Sequence, residues 1–223
     1  MKSLLILGAG GFGHMIQETA MQLGYEKVSF LDDAVKDPLV VGKCCDYRDF
    51  LDSYEAAVAA LGDNGMRLYW TEKLMEAGYQ VPALIHPSAV VSPSAVIGQG
   101  SFVLQRAVVN THTVVEHGVL INSGAVVDHD SYIASGAHIG LGSVVKSNCT
   151  IASKRKVEAG EVIFSTRRKI DGVSDRNLED AIYAFGFGPR CSYVKPFGAG
   201  HINETYAVYM PMADGEDELA YVL

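Results

Sequence analysis

A chain of 223 residues with 48% hydrophobic content has the material for one large domain or two small ones around real cores. Its formal charge of −8 argues against binding a nucleic-acid phosphate backbone, and no stretch has the length needed to span a membrane. Cys44, Cys45, Cys149 and Cys191 lack metal-ligand spacing and the adjacent pair is a poor disulfide, which points to a reducing, cytoplasmic setting and no bound metal.

Met1-Lys2-Ser3 followed by an apolar run superficially resembles a signal peptide, but the run stops after residue 7 and enters glycines. Residues 4–7 therefore read as a first strand. Gly8-Ala9-Gly10-Gly11-Phe12-Gly13 is a turn, 14–23 a helix, and 28–31 a second strand ending in Asp32-Asp33. This is the G-x-G-x-x-G spacing with an acidic residue about twenty positions on. Gly8, Gly10, Gly11 and Gly13 let backbone amides approach a diphosphate at a helix N-terminus. Asp32 and Asp33 stand where the fingerprint puts its acidic residue. A strand at 56–61, a helix at 66–77 and a strand at 81–84 complete about four parallel strands, one mononucleotide-binding half. An NAD domain has two halves, and residues 1–84 have no room for the second. A nucleotide-sugar is favoured as ligand, a nicotinamide oxidoreductase is the rival, and glycines that merely make a tight turn are the plainest alternative.

A different regime starts at Ile85. Every sixth residue is a β-branched aliphatic: Ile85, Val91, Ile97, Val103, Val109, Val115, Ile121, Val127, Ile133, Ile139, Val145, Ile151, Val157 and Ile163. Four residues after each rung comes something small, such as Ala89, Ser101, Ala125 or Ala137, with Val119 the bulky exception before the pattern fades at Arg155. A short strand with one inward aliphatic, then a corner too tight for a large side chain, gives this spacing. Three such faces close one coil of about eighteen residues, and stacked coils pair strand over strand in a parallel β-helix. At ~4.8 Å per strand the prism is about 22 Å tall. A solenoid this short leaves its ends and a side face exposed, which asks for capping and self-association.

Lys154, Arg155, Lys156, Arg167 and Arg168 form a basic cluster where the ladder ends. Beyond it, 177–184 reads as a helix broken by Phe185-Gly186-Phe187-Gly188-Pro189, and 193–209 as strand, glycine turn, strand. The expected organisation is an α/β domain at 1–84, a β-helix at 85–168 and an extension at 169–223.

The glycine run at 8–13, Phe30-Leu31-Asp32-Asp33, Gly62-Asp63-Asn64, the entry Ile85-His86-Pro87-Ser88-Ala89, and Asn122-Ser123-Gly124-Ala125-Val126-Val127-Asp128-His129-Asp130 carry a resemblance. Over about residues 1–150 the chain resembles the hexapeptide-repeat sugar acyltransferases of the sialic-acid O-acetyltransferase and UDP-amino-sugar N-acetyltransferase type. That resemblance implies a left-handed coil packed as a homotrimer, with the α/β domain holding the nucleotide-sugar. It implies acetyl-CoA as acyl donor, held on the coil's side face between neighbouring subunits. His129 becomes the general base with an acidic neighbour orienting it, Asn122 joins the acceptor side, and His138 and Gly140 fall on the CoA side. The basic cluster then receives the CoA 3′-phosphate or simply caps the solenoid. In that family further Gly-containing coils follow; here the corners turn charged and the ladder stops early. Residues 193–209, Tyr193 to Tyr209 around Phe197-Gly198-Ala199-Gly200-His201, resemble the phosphate-covering loop of kinases of the aminoglycoside-phosphotransferase and N-acetylhexosamine-kinase type. That implies the start of a kinase domain in a longer fusion, with a hairpin-like tail folded on the coils as the alternative.

The chemistry asks for such groups on its own account. Acyl transfer from a thioester needs an amine or hydroxyl stripped of its proton as it attacks, which suits an imidazole. A carboxylate on the other ring nitrogen fixes its tautomer; Asp130 is one source and Asp128 the other. Neighbouring strand residues face opposite ways, so a His129–Asp130 pair requires a corner. Backbone amides or His138 are the donors open to the developing oxyanion. The plain readings are that coil histidines are solvated side-face residues, that His14 starts a helix, that His86 is structural, and that Asn122 is a corner residue tolerating φ > 0. The rival to an enzyme is a non-catalytic module that binds a sugar-nucleotide and trimerises an attached kinase.

Overall fold

The computed structural model describes residues 2–164 and three strands further on, 193–196, 206–211 and 217–222. The chain falls into two compact units, Met1–Phe164 and Ser165–Leu223.

In the first unit β1 (Ser3–Leu7), β2 (Lys27–Leu31), β3 (Val40–Gly42) and β4 (Ala56–Ala59) form a parallel sheet in the order β3-β2-β1-β4. Helix α1 (Gly11–Gln22) joins β1 to β2, and α2 (Asn64–Glu76) follows β4. Every residue of β1 is buried, as a central parallel strand covered on both faces should be. The strand order reverses at β1, so the crevice for a ligand opens between the ends of β1 and β4. The fourth strand is not the one expected at 81–84. Gln80 makes only an isolated bridge to Ala56, and the next strand, β5 (Leu84–Ile85), already belongs to the coil. The missing member is β3, a three-residue edge strand two positions after Pro38, too short to show alternation.

From β5 to β18 (Val162–Ile163) come fourteen two-residue strands, each ending on a ladder residue. They stack into three parallel sheets of four, five and five strands, each residue pairing with the one eighteen positions on, as in Val114↔Tyr132 and Val126↔Val144. The fold is a left-handed parallel β-helix. The rungs and the small residues after them make one continuous core, in which Val103, Val109, Ile121, Val127, Ile133, Ile139 and Val145 have no exposure. The corners explain the small residues. Three positions after each rung from Ile97 to Val157 the backbone is left-handed: Gly100, Arg106, His112, Gly118, Gly124, Asp130, Gly136, Gly142, Asn148, Lys154 and Gly160 all have positive φ. The next residue turns inward and has no room to be large. Because the core is one rung deep, Ile139→Ala should cost about 2–5 kcal/mol, read as a lower midpoint in guanidinium unfolding with unchanged slope.

Arg155 takes the place of a small corner residue and stays exposed, 3.8 Å from Glu161 in the next such place; Lys156 pairs with Glu158 at 2.8 Å. Exposed pairs of this kind contribute about 0–1 kcal/mol. Near the end of the ladder these charges are exposed and paired, while Arg167 and Arg168 lie outside the described residues.

The α/β layer docks on one side of the prism. Leu84, Phe102 and Leu120, outward residues of one coil face, are buried with Ile6, Ile16 and Phe30, and Phe12 of α1 meets Phe102 edge-on at 5.4 Å. On the adjoining corner, Gly100, Gly118 and Gly136 let α2 approach: a Cβ on Gly100 would stand 2.5 Å from Thr71, and one on Gly136 3.0 Å from Leu68.

The second unit contains an antiparallel sheet of β19 (Tyr193–Pro196), β20 (Tyr206–Pro211) and β21 (Asp217–Val222). The two strands expected around the glycine turn are β19 and β20; the turn itself and the helix expected at 177–184 lie outside the described residues.

Candidate active site

The glycine turn divides into two kinds of glycine. Gly8 has φ 104°, and a Cβ there would stand 2.7 Å from the Ala60 carbonyl oxygen; a Cβ on Gly13 would stand 2.0 Å from the Gly8 oxygen. These two are required for α1 to pack against the sheet. At Gly10 and Gly11 nothing lies within 4 Å of a Cβ. Gly10 is the N-cap of α1, no side chain caps it, and the first turn has no acidic residue. That leaves open space where the helix dipole favours an anion. Asp32 closes the turn from below: its Oδ2 accepts the Ala9 amide at 2.8 Å and its Oδ1 the amides of Ala34 and Val35 at 2.8 and 2.7 Å. Partial burial would raise its pKa, but the three amides outweigh burial and hold the carboxyl below the usual range. Asp33 accepts the Cys44 amide at 3.2 Å.

On the coil, His129 and Asp130 do sit at a corner, the one between Val126–Val127 and Tyr132–Ile133. Asp130 has φ 55°, a conformation Asp and Asn tolerate better than most residues. Its Oδ2 is 2.8 Å from His129 Nδ1, and its Oδ1 is 3.4 Å from His112 Nδ1, one coil below. Asp128 does something else. Its Oδ1 accepts the His129 amide at 2.9 Å and the Asn110 side-chain amide at 3.0 Å, which hold its carboxyl below the usual range. The ring partner of His129 is therefore Asp130.

Asn122 and His138 form a second cluster. The Ser123 amide donates to Asn122 Oδ1 at 2.8 Å, which points Asn122 Nδ2 at His138 Nε2, 3.2 Å away. An amide nitrogen only donates, so Nε2 accepts and the proton of the neutral ring sits on Nδ1. Positive φ falls on Gly124 rather than on Asn122, so Asn122 is not a strained corner residue. Gly140 is buried, and a Cβ on it would stand 2.5 Å from the Val157 carbonyl oxygen; its lack of a side chain serves coil stacking. His86 Nδ1 accepts the Ser88 amide at 3.0 Å, a structural role.

The two clusters do not meet within one chain. His138 points outward from the face that carries Phe102 and Leu120, on the same side as α1 and the glycine turn. His129 and Asp130 occupy the corner opposite that face. Beside that corner runs an outward column of Val90, Val108, Val126, Val144 and Val162, with Val90 63% exposed, and on its other flank Val96, Val114 and Tyr132.

The family model of the PglD N-terminal domain matches residues 3–74. PerB from Caulobacter crescentus, solved with CoA and GDP-perosamine, is 27% identical over 74% of this chain and 90% of that one, with TM-score 0.65. A histidine-to-alanine mutant of GDP-perosamine N-acetyltransferase from the same organism, again with CoA and GDP-perosamine, gives 26%, 74%, 90% and 0.67. The acetyltransferase domain of PglB from Neisseria gonorrhoeae FA1090, in complex with acetyl coenzyme A, is 34% identical over 74% of this chain and 91% of that one, with TM-score 0.67. The chain belongs to the PglB/PglD family of sugar acetyltransferases. As a member of that family it is an enzyme, a sugar N- or O-acetyltransferase with acetyl-CoA as donor. The nicotinamide and non-catalytic readings fall away, and the single mononucleotide half of the sheet accords with that. Among the described residues, no group of three or more His, Cys, Asp or Glu could hold a metal, and no helix is long and apolar enough to cross a membrane.

Sequence reasoning missed Arg67. It lies in the first turn of α2 with no exposure, and it donates to carbonyls of the coil corners. One signal was legible: Gly100, Gly118 and Gly136 recur every eighteen residues, marking a seam that another element approaches. Burial drops the Arg67 pKa to about 10, so it stays charged at neutral pH. Burial also drops His138, and with the Arg67 and Lys156 charges brings it to about 4. Between 6.5, where the unfolded imidazole takes its proton, and about 4, where the folded one does, only the unfolded chain gains charge. Stability should therefore fall as pH drops through that window, and His138→Gln should flatten the fall in pH-dependent urea melts.

Proposed function

We propose that the chain acetylates the amino or hydroxyl group of a nucleotide-linked sugar at a site built from two copies of the chain in a homotrimer. The observation that carries this is the placement of the chemistry: His129–Asp130 on one corner, and the glycine turn, Asn122 and His138 on the opposite side. The valine column flanking the His129 corner supports self-association, since a contiguous apolar stripe on a soluble surface favours burial against a partner. In this reading residues 1–84 hold the nucleotide-sugar, with the diphosphate over Gly10 and Gly11 and Gly8 and Gly13 shaping the turn. Asp32 and Asp33 act on that site by fixing the loops that border it. Residues 85–168 supply the acetyl-transfer groups, and 169–223 are a C-terminal extension.

His129 Nε2 removes the proton of the sugar amine or hydroxyl as that atom attacks the thioester carbonyl, while Asp130 holds Nδ1–H. The neutral His138 ring, a donor through Nδ1, and nearby coil amides face the oxyanion. The C–S bond then breaks, and the thiolate takes the proton from His129. Gly140 falls on the CoA side with His138 and lets the coil that carries that ring stack on the next one. Free thiols at Cys44, Cys45 and Cys149 support a cytoplasmic setting. The antiparallel pairing of β19 with β20 supports a second reading of 169–223 as the opening strands of a kinase-type domain.

Mixing two dead variants tests the shared site. His129→Ala and His138→Ala chains, refolded together, should regain release of free CoA thiol from acetyl-CoA with UDP-, GDP- or CMP-linked amino sugars. No recovery, with mixed trimers demonstrated, would place the whole site in one chain.

A further inference from the structure

Arg67 heads the largest fully buried side chains among the described residues, and none of the ion pairs there includes it. Its guanidinium instead ties together three parts of the fold. Nη1 donates to the Leu61 carbonyl at 3.1 Å, in the β4–α2 loop, and Nη2 to Asn64 Oδ1 at 2.9 Å. Nε donates to Gly118 O at 2.9 Å, and Nη2 also to Gly136 O at 2.8 Å and Ala137 O at 3.2 Å. Ala137 directly precedes His138. The Leu61 loop is the lip of the crevice facing the glycine turn, close enough that a Cβ on Gly8 would stand 2.9 Å from Leu61. We propose that Arg67 is a positioning residue, which fixes the lip of the nucleotide-sugar crevice against the backbone that carries His138 and sets the charge around that ring.

The inference rests on the acetyl-transfer reading for its kinetic part only. The planar fork is what reaches acceptors on three elements at once; a lysine has the charge without the fork. The groups acting on the His138 ring are Arg67 from α2, Lys156 from the strand above, Glu158 from the next corner and the Asn122 amide. The two cations disfavour imidazolium and Glu158 opposes them.

Two variants of the full chain separate geometry from charge. Arg67→Lys should lower kcat about tenfold or more while the His138 titration, followed by NMR of the ring, stays where it was, because misplacement by a fraction of an ångström costs rate. Asn64→Asp keeps the guanidinium and its coil carbonyls but sets a carboxylate against it; the His138 midpoint should rise by about one pH unit. A purely structural Arg67 would lower the melting temperature of Arg67→Lys, leave kcat of the folded enzyme unchanged, and leave His138 unmoved in Asn64→Asp. That pair of results overturns the proposal. If Arg67→Lys does not fold, the Asn64→Asp titration decides alone. A parent chain that acetylates no nucleotide sugar sinks the transferase reading, and the same titration still decides the role of Arg67.

Discussion

His129→Ala is expected to lower kcat by about 10²–10⁴-fold, the usual contribution of a positioned general base, with a melting temperature close to that of the parent. The side chain is half exposed and its ring bonds only to Asp130 in the described structure, so removing it leaves no cavity. The corner itself is held by backbone: the Asn148 amide donates to the His129 carbonyl at 3.1 Å, and the Asp130 amide to Thr111 O at 3.0 Å. Asp130→Asn should keep the fold, since Asn accepts positive φ as readily as Asp, but presents an amide where a carboxylate fixed the tautomer. Its kcat should fall by roughly tenfold or more, whereas Asp130→Ala adds backbone strain and confounds the reading. Steady-state kinetics beside thermal melts of the three variants decide the matter. If His129→Ala keeps kcat within about twofold of the parent, the base lies elsewhere; His112, on the other oxygen of Asp130, is the next to try.

The coil was legible in the sequence to the residue because a β-branched side chain every sixth position has one physical reading. All fourteen strands end on the rung expected. The α/β layer was legible in its first half, where strand, glycine turn, helix and strand follow one another without interruption. It was misread at its edge, since β3 pairs through backbone alone and residues 81–84 look apolar because they feed into the coil. For the site, the sequence offered candidate residues but not their arrangement. Counting by eighteen places His129 and His138 half a coil apart, yet only the prism shows that half a coil means opposite sides. Asp32 shows another limit. It stands at the acidic position of the fingerprint, but its carboxylate accepts the amides of Ala9, Ala34 and Val35, a use that spacing cannot distinguish from a ligand contact. Arg67 escaped for a simple reason: a charged residue in a helix reads as solvated unless its acceptors, scattered over residues 61 to 137, are seen together.

The glycine turn should separate binding from stability in opposite directions. Gly13→Ala drives a methyl to 2.0 Å from the Gly8 carbonyl oxygen, a backbone atom that cannot swing aside. The helix must move, at a cost of about 3 kcal/mol or more, and the melting temperature should drop by roughly 6–12 °C. Gly11→Ala meets nothing within 4 Å and lies in the first turn of α1, where Ala is the better helix former. That variant should gain about 0.5–1 kcal/mol of stability. Gly10→Ala sits in extended backbone (φ −75°, ψ −177°) and should melt near the parent. In both open positions, however, the methyl enters the space that the proposed function assigns to the diphosphate. Calorimetric titration with the preferred nucleotide-sugar should show Kd raised about tenfold or more for Gly10→Ala and Gly11→Ala, an effect of 1.4 kcal/mol or more. A turn that served packing alone would give the reverse pattern: Gly13→Ala would still melt early, while Gly10→Ala and Gly11→Ala would bind as the parent does. The sign of the change at Gly11, more stable and yet weaker in binding, is the result a purely structural turn cannot produce.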